Sequence, residues 1–322
     1  TRRDTQVFLQ GLGLSPRLAE RLFQKYAGEA IALVRENPYR LAEEIRGIGF
    51  STADGVASQL KISPESPFRL TAGAAHVLRE MSEDRGHVCV PRALLEHRCA
   101  ELLGVSEALA ADGVARAVAA GQALTETDPA QPGKEWLFPP ALHAAEVALA
   151  RMVRQLLEPR LTAPPVSPPA VPELAPLNPA QRQAVNQAFQ HGLSIITGGP
   201  GVGKTTTTKA IVASARALGW HLALAAPTGR AARRLSEATG TNAATIHRLL
   251  RLDMATGQFH YGSEIPLPVE LLIVDEASML ELRLAAQLFA AVGPGTRVVL
   301  VGDQDQLPSV GPGRVLRDLI RS

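Results

Sequence analysis

Ser194-Ile195-Ile196-Thr197 runs without a break into Gly198-Gly199-Pro200-Gly201-Val202-Gly203-Lys204-Thr205, and a helical pattern then continues to Leu218. No other stretch restricts the fold as much. A short buried strand, a glycine-rich loop and a helix are the parts of a parallel α/β unit, the context that G-x-x-x-x-G-K-[ST] requires. The glycines let backbone N–H groups wrap a triphosphate, Lys204 neutralises its β and γ oxygens, and the Thr205 hydroxyl is placed to ligate Mg²⁺. Gly198, Gly199, Pro200, Gly201, Val202, Gly203, Lys204, Thr205 and the next helical residue, Thr206, are the expected nucleotide-binding set.

Three further apolar runs end in polar groups, as strands of one parallel sheet do at the edge where ligands bind. Leu271-Leu272-Ile273-Val274 delivers Asp275 and Glu276. Two adjacent carboxylates at a buried edge call for a cation, so Asp275 is expected to hold Mg²⁺ and Glu276 to polarise an attacking water. Leu222 to Ala225 leads to Pro227-Thr228-Gly229 and then Arg230, Arg233 and Arg234, guanidiniums suited to a phosphate backbone or, for the latter two, to a solvated helix face. Arg297 to Val301 leads to Gly302-Asp303-Gln304-Asp305-Gln306, where a neutral amide can sense a γ-phosphate.

The chain upstream is organised differently. Prolines 159, 164, 165, 168, 169, 172, 176 and 179 crowd one segment that can be neither helix nor central strand, and it is expected to act as a semi-rigid spacer. The 322 residues carry a net charge of +2, but Thr1 to Arg160 has 19 basic and 20 acidic residues and the remainder 14 and 11, so the basic excess lies beyond the linker. An aromatic share of 4% argues against a base-stacking surface, leaving backbone contacts as the expected grip on nucleic acid. With two cysteines, no run of about 18 apolar residues and no signal-peptide core, the chain reads as cytosolic, without a membrane partner.

Before the linker the pattern is mainly helical. Gly11-Leu12-Gly13-Leu14-Ser15, followed by Ala19 and Leu22, recurs 36 residues on as Gly47-Ile48-Gly49-Phe50-Ser51, followed by Ala57 and Leu60. Such turns offer the next helix N-terminus to a phosphate and resemble a tandem helix-hairpin-helix motif, making Gly11, Gly13, Gly47 and Gly49 candidate DNA contacts; the alternative is a pair of ordinary helix C-caps. Helices and a hairpin, with strands at Gln122–Thr127 and Glu135–Phe138, then look like a winged helix, a fold that serves as DNA binder or scaffold. His87, Cys89, His97 and Cys99 have the types of zinc ligands, but Cys89 lies in an alternating run and Cys99 on a helix, where a thiol is normally a small buried hydrophobe, so no metal but Mg²⁺ is expected.

The motor-side set resembles motifs I, II and III of superfamily 1 helicases, and the whole chain resembles the RecD/TraA-type helicases of the 5′-to-3′ subgroup 1B, of the stand-alone kind with a helix-hairpin-helix front end. The resemblance makes Gln181 the adenine contact, Gln306 the motif III glutamine, and Pro227, Thr228, Gly229, Arg230, Thr245 and His247 contacts to single-stranded DNA. It also implies that a hairpin near residues 250–262, with Asp253, Met254, Thr256 and Gln258 at its tip, is the wedge that splits the duplex at the single-to-double-strand junction; a mere surface hairpin is the alternative.

The expected layout is a tandem helix-hairpin-helix at 1–66, a winged-helix-like domain at 67–158, a linker at 159–176 and a RecA-like P-loop ATPase domain at 177–322. The implied activity is that of a monomeric ATP-dependent 5′–3′ DNA helicase of repair and recombination. The second RecA-like domain and its arginine finger lie outside this sequence, which reads as a helicase cut beyond motif III with little activity alone. A nucleotide-gated DNA-binding scaffold and an RNA-directed or nuclease-coupled translocase are the rival readings.

Overall fold

The computed structural model describes residues 2–45, 47–128, 131, 133–158, 164–307 and 309–322. Thr1, Arg46, Pro129, Ala130 and Pro132 of the expected hairpin, residues 159–163 of the expected linker and Pro308 lie outside the described residues. The chain divides into two compact units, Thr1–Pro140 and Ala141–Ser322.

The first unit opens with helices Arg2–Gly11 and Pro16–Tyr26 and, after two shorter ones, reaches Phe50–Gln59. The repeat is real, but its register differs from the one expected. The left-handed turn residues are Gly13 (φ +78°) and Gly47 (φ +95°), 34 positions apart, while Gly11 is the last residue of a helix. Each is followed by a buried apolar residue, Leu14 or Ile48, and then by the N-cap of the next helix, Ser15 or Gly49. Ala19 therefore corresponds to Ala53 and Leu22 to Val56, all four buried, whereas Leu60 is half-buried. Matching Gly-x-Gly strings misaligned the copies by two residues, because only the backbone angle tells which glycine makes the turn.

Helices Pro67–Arg85, Arg92–Leu103 and Glu107–Ala119 follow, with a three-stranded antiparallel sheet. Its strands β1 (Val90–Pro91), β2 (Leu124–Thr127) and β3 (Glu135–Phe138) run in the order β1-β3-β2, with Leu124 opposite Phe138 and Val90 opposite Leu137. This is the expected pattern of helices with a wing. The helices meet closely: a Cβ built on Gly113 would lie 2.8 Å from the Leu70 carbonyl oxygen.

The division between units falls ahead of helix Pro140–Leu157, earlier than the boundary at 158 expected from the prolines. Met152, Gln155 and Leu156 of that helix line a cavity of about 340 Å³ with Phe289, Gly293 and Thr296, which explains why the helix goes with the second unit. The described part of the proline segment is a strap on that unit. Val166 N–H donates to the Phe189 carbonyl, Arg297 donates to the carbonyls of Pro164 and Phe189, and Leu174 and Leu177 pack on the core.

The second unit is built on a five-stranded, wholly parallel sheet of β4 (Leu193–Thr197), β5 (Leu222–Ala226), β6 (Ala243–Thr245), β7 (Leu271–Val274) and β8 (Arg297–Gly302), in the order β4-β8-β7-β5-β6. All residues of β7 and β8 are buried, as central parallel strands require. The last strand in sequence is inserted between the first and the fourth, so the loops after β4 and β7 flank the loop after β8. No helix among the described residues is long and apolar enough to cross a membrane.

Candidate nucleotide and nucleic-acid site

The loop after β4 is made by three glycines in conformations that other residues avoid: Gly198 (φ +155°), Gly201 (φ +80°) and Gly203 (φ +90°). Helix Lys204–Ala217 starts at once, so its free N–H groups face the loop. Lys204 Nζ donates to the carbonyls of Gly198 and Gly199, the position from which it would reach phosphate oxygens. Thr205 and Thr206 are exposed beside Pro200, Gly201 and Val202, whereas Thr207 and Thr208 are buried and bond back to the carbonyls of Gly203 and Lys204. The four threonines thus divide into two that are open to a ligand and two that serve the helix.

Gln181 reaches this loop from helix Pro179–Gln190. Its Oε1 accepts the Asn178 N–H at 3.0 Å, completing a capping box, and its Nε2 donates to the Val202 carbonyl at 3.2 Å.

At the end of β7, Asp275 donates its N–H to the Ala225 carbonyl across the sheet, and its Oδ1 accepts the N–H of Glu276 at 2.9 Å. Glu276 stands at φ +53°, a strained conformation for a side chain with a Cβ. Burial raises the Asp275 carboxyl above its ordinary range, against the Glu276 N–H and the Lys204 charge. Burial and the Asp275 charge raise Glu276, against Lys204 and Arg234. The half-buried Asp275 carboxyl and the exposed Thr205 hydroxyl are oxygen donors of the type a divalent cation takes. Between the two halves, the loop after β8 turns on the buried Asp303, whose Oδ1 accepts the Asp305 N–H, and leaves Gln304 and Gln306 exposed.

Pro227, Thr228, Gly229 and Arg230 lie at the same sheet edge, after β5. Thr228 Oγ1 accepts the Ala231 N–H as N-cap, Arg233 pairs with Glu237 at 2.9 Å, and Arg230 and Arg234 share one helical flank four residues apart. Arg234 has an electrostatic reach to Glu276 that the spacing of the arginines did not reveal. Thr245 caps the short helix Ile246–Leu249, and His247 within that helix is exposed, its ring centroid 6.0 Å from that of Phe259.

The expected hairpin at 250–262 is reduced to one antiparallel bridge, Leu252 with Phe259. Asp253 N–H bonds the Gln258 carbonyl, and Asp253 Oδ1 accepts from Ala255, which fixes the tip. The ladder stops because His260 and Tyr261 turn back onto the Leu250 carbonyl. Met254 at the tip is 87% exposed, with Thr256 and Gln258 beside it. Despite the low aromatic content, His247, Phe259, His260 and Tyr261 gather here, with Arg251 over the Tyr261 ring.

In the first unit Gly11, Gly13, Gly47 and Gly49 are all exposed. Cys99 is buried and its thiol is pushed up to about 12 by burial, while His97, exposed on the same helix, faces Glu101 and Glu107.

A family profile described as the ATP-dependent RecD2 DNA helicase HHH domain matches residues 1–89, and one described as an AAA domain matches residues 181–312. The ATP-dependent RecD2 DNA helicase of Deinococcus radiodurans is 38% identical over 98% of this chain and 45% of its own length. The RecBCD enzyme subunit RecD of Mycolicibacterium smegmatis is 44% identical over 47% of this chain and 32% of its own. The ATP-dependent DNA helicase dda of phage T4 is 35% identical over 37% of this chain and 28% of its own. The chain thus spans less than half the length of these relatives. With one profile matching each unit and one relative running through both, the chain is similar along nearly its whole length to RecD-type helicases, and its first 89 residues to the RecD2 kind.

Proposed function

We propose that the chain forms the nucleotide-binding and DNA-contacting part of an ATP-dependent DNA helicase that moves 5′ to 3′ on single-stranded DNA in repair and recombination. The observation that carries this reading is the strand order β4-β8-β7, which sets the Lys204 loop and the Asp275-Glu276 pair on either side of the Gln306 loop. Lys204 leaves its two carbonyls to neutralise the β and γ oxygens of ATP, Glu276 polarises the attacking water, and Gln306 contacts the γ-phosphate. A Mg²⁺ ion held by Thr205 and Asp275 would supply charge neutralisation of the phosphates. Pro227, Thr228, Gly229, Arg230, Thr245 and His247 line the strand's path, and the segments of Gly11, Gly13, Gly47 and Gly49 in the first unit meet a DNA backbone through helix N-termini.

In the whole protein, Lys204→Ala and Glu276→Gln should each abolish DNA-stimulated ATP hydrolysis and leave DNA binding intact. Unchanged hydrolysis refutes the assignment. Duplexes with 5′ or 3′ tails report the direction of travel, which follows the RecD/TraA resemblance. The tip at Asp253–Gln258 is proposed as the wedge at the junction. Its deletion should stop unwinding while sparing hydrolysis stimulated by single-stranded DNA, and unwinding that survives the deletion rejects the wedge.

A further inference from the structure

On one face of the parallel sheet, β5 and β6 present only alanines. Leu222, Leu224 and Ala243 join the main core, so by the alternation of a strand Ala223 and Ala244 face the other way. The segment after β6 folds back over them without filling the space. A cavity of about 350 Å³ remains there, within the range of about 300–1,000 Å³ that small ligands take. The buried Leu267 extends its apolar wall, and Asn242, Arg248, Arg251 and Tyr261 stand at its rim. No aspartate or glutamate lines it, and the neighbouring Glu270 is taken up by the N–H and ring of His221. Among the described residues neither guanidinium has a hydrogen bond or an ion pair; that of Arg251 lies over the Tyr261 ring, 5.1 Å from its centroid. Arg251 also stands at φ +54°, just past the helix Ile246–Leu249, where glycine fits best, so an arginine is kept there against the preference of the backbone.

We infer that this cavity is a second binding site, for a nucleoside phosphate, with the base on the alanine floor and the phosphate held by Arg248 and Arg251. The class of ligand follows from the lining. Two cations without a counter-ion call for an anion, and their forked donors match phosphate oxygens. An apolar floor beside an aromatic ring and the Asn242 amide suits a base and not a bare ion. The site is separate from the two already described and does not depend on the ATP-site reading. It borders Leu222, the first residue of β5, and Val269, ahead of β7, whereas the nucleotide loops and residues 227–230 follow the far ends of the strands. Arg248 stands about 100° round its helix from His247, as consecutive helical residues do. A free nucleotide and the end of a strand both carry the required base and phosphate.

The test measures binding of radiolabelled dTMP and pTpT to the whole chain by equilibrium dialysis without Mg²⁺, in a Lys204→Ala background that removes the lysine of the phosphate-binding loop. Arg248→Gln removes one charge. Arg251→Gly removes the other and places glycine where φ is positive, so its melting temperature should be no lower than that of the background, and weaker binding is then not misfolding. Ala244→Leu fills the floor and leaves both charges in place. The expected result is one bound nucleotide per chain, weakened about tenfold by each arginine substitution and at least as much by Ala244→Leu, with inorganic phosphate competing about tenfold less well than dTMP. Equal affinity for dTMP and pTpT supports the site with a free nucleotide as its ligand, and tighter pTpT that is lost in the same variants supports it with a strand end. Three results overturn the proposal: no binding of either probe by the background chain, binding that all three variants retain, which lies elsewhere, or inorganic phosphate competing as well as dTMP, which reduces the arginines to an anion patch without a base site.

Discussion

Replacing Arg297 by Met should loosen the strap on the second unit by an amount that the structure allows to be worked out. The residue is 3% exposed, its guanidinium donates to the carbonyls of Phe189 and Pro164, and its carbon lies 4.9 Å from the centroid of the Trp220 ring. Hydrogen bonds from a charged donor contribute about 1.5–3 kcal/mol each, and a desolvated cation–π contact contributes about 2 kcal/mol. Against this stands burial of the ion, which lowers its pKa and gives back several kcal/mol when the charge is removed. Met fills most of the space, and the Phe189 carbonyl keeps its bond from Val166, so the Pro164 carbonyl suffers most. The net loss should be about 2–3 kcal/mol, or about 5–10 °C in the melting temperature of a unit of this size. Trp136 and Trp220 are the two tryptophans of the chain. In a Trp136→Phe background the fluorescence of Trp220 alone follows this unit, and limited proteolysis of residues 164–177 gives a second reading. An Arg297→Met melting temperature within about 1 °C of the parent, with the segment equally resistant, would falsify the view that the strap is energetically anchored.

Asp275→Asn and Glu276→Gln should stabilise the fold at neutral pH while abolishing hydrolysis. Both carboxyls titrate above their ordinary values, so their ionisation favours the unfolded chain: stability is highest below about pH 4 and falls as pH rises through the raised values. The gain, about 0.5–2 kcal/mol by analogy with other relieved active sites, should therefore vanish in melts below pH 4, and a gain that persists there contradicts the cause. Asp54 has the opposite sign: burial raises it, but the bonds from Arg69 and Tyr39 outweigh this and hold it low. Its contribution to the first unit is present above the ordinary value of 3.8 and is lost as pH falls through the lowered one. Arg69→Ala should destabilise that unit by about 1–3 kcal/mol and narrow the loss on acidification, as read from urea unfolding at several pH values. Gly113→Ala should lose about 1–3 kcal/mol through collision with the Leu70 carbonyl, whereas Gly55→Ala, in open space on a helix, should gain about 0.5–1 kcal/mol in the same assay.

What could be read from the sequence was whatever is local. The P-loop, the two carboxylates after β7 and the turn at Pro227-Thr228-Gly229 each depend on a few consecutive residues, and strand, loop and helix stand where their patterns put them. The repeat was visible but misaligned, since two Gly-x-Gly strings look alike until φ distinguishes Gly13 from Gly11. The strap was hidden because its anchor, Arg297, is 133 positions from Pro164, and a run of prolines by itself says only that no helix or central strand forms. Similarly, the one-bridge loop at 252–259 depends on where His260 and Tyr261 find an acceptor, which alternation cannot report.

Strand β8 joins two places that have been treated apart. At its lower end Arg297 grips the proline segment, and at its upper end Gly302 opens into the loop of Gln306. Six residues at about 3.3 Å each make a rod of roughly 20 Å, with hydrogen-bonded neighbours on both sides and every residue buried. Such a rod neither stretches nor bends at low energy, so a push at one end must be carried whole to the other or absorbed by the sheet. The strap at residues 164–177 and the loop of Gln306 are thus the two handles of one lever.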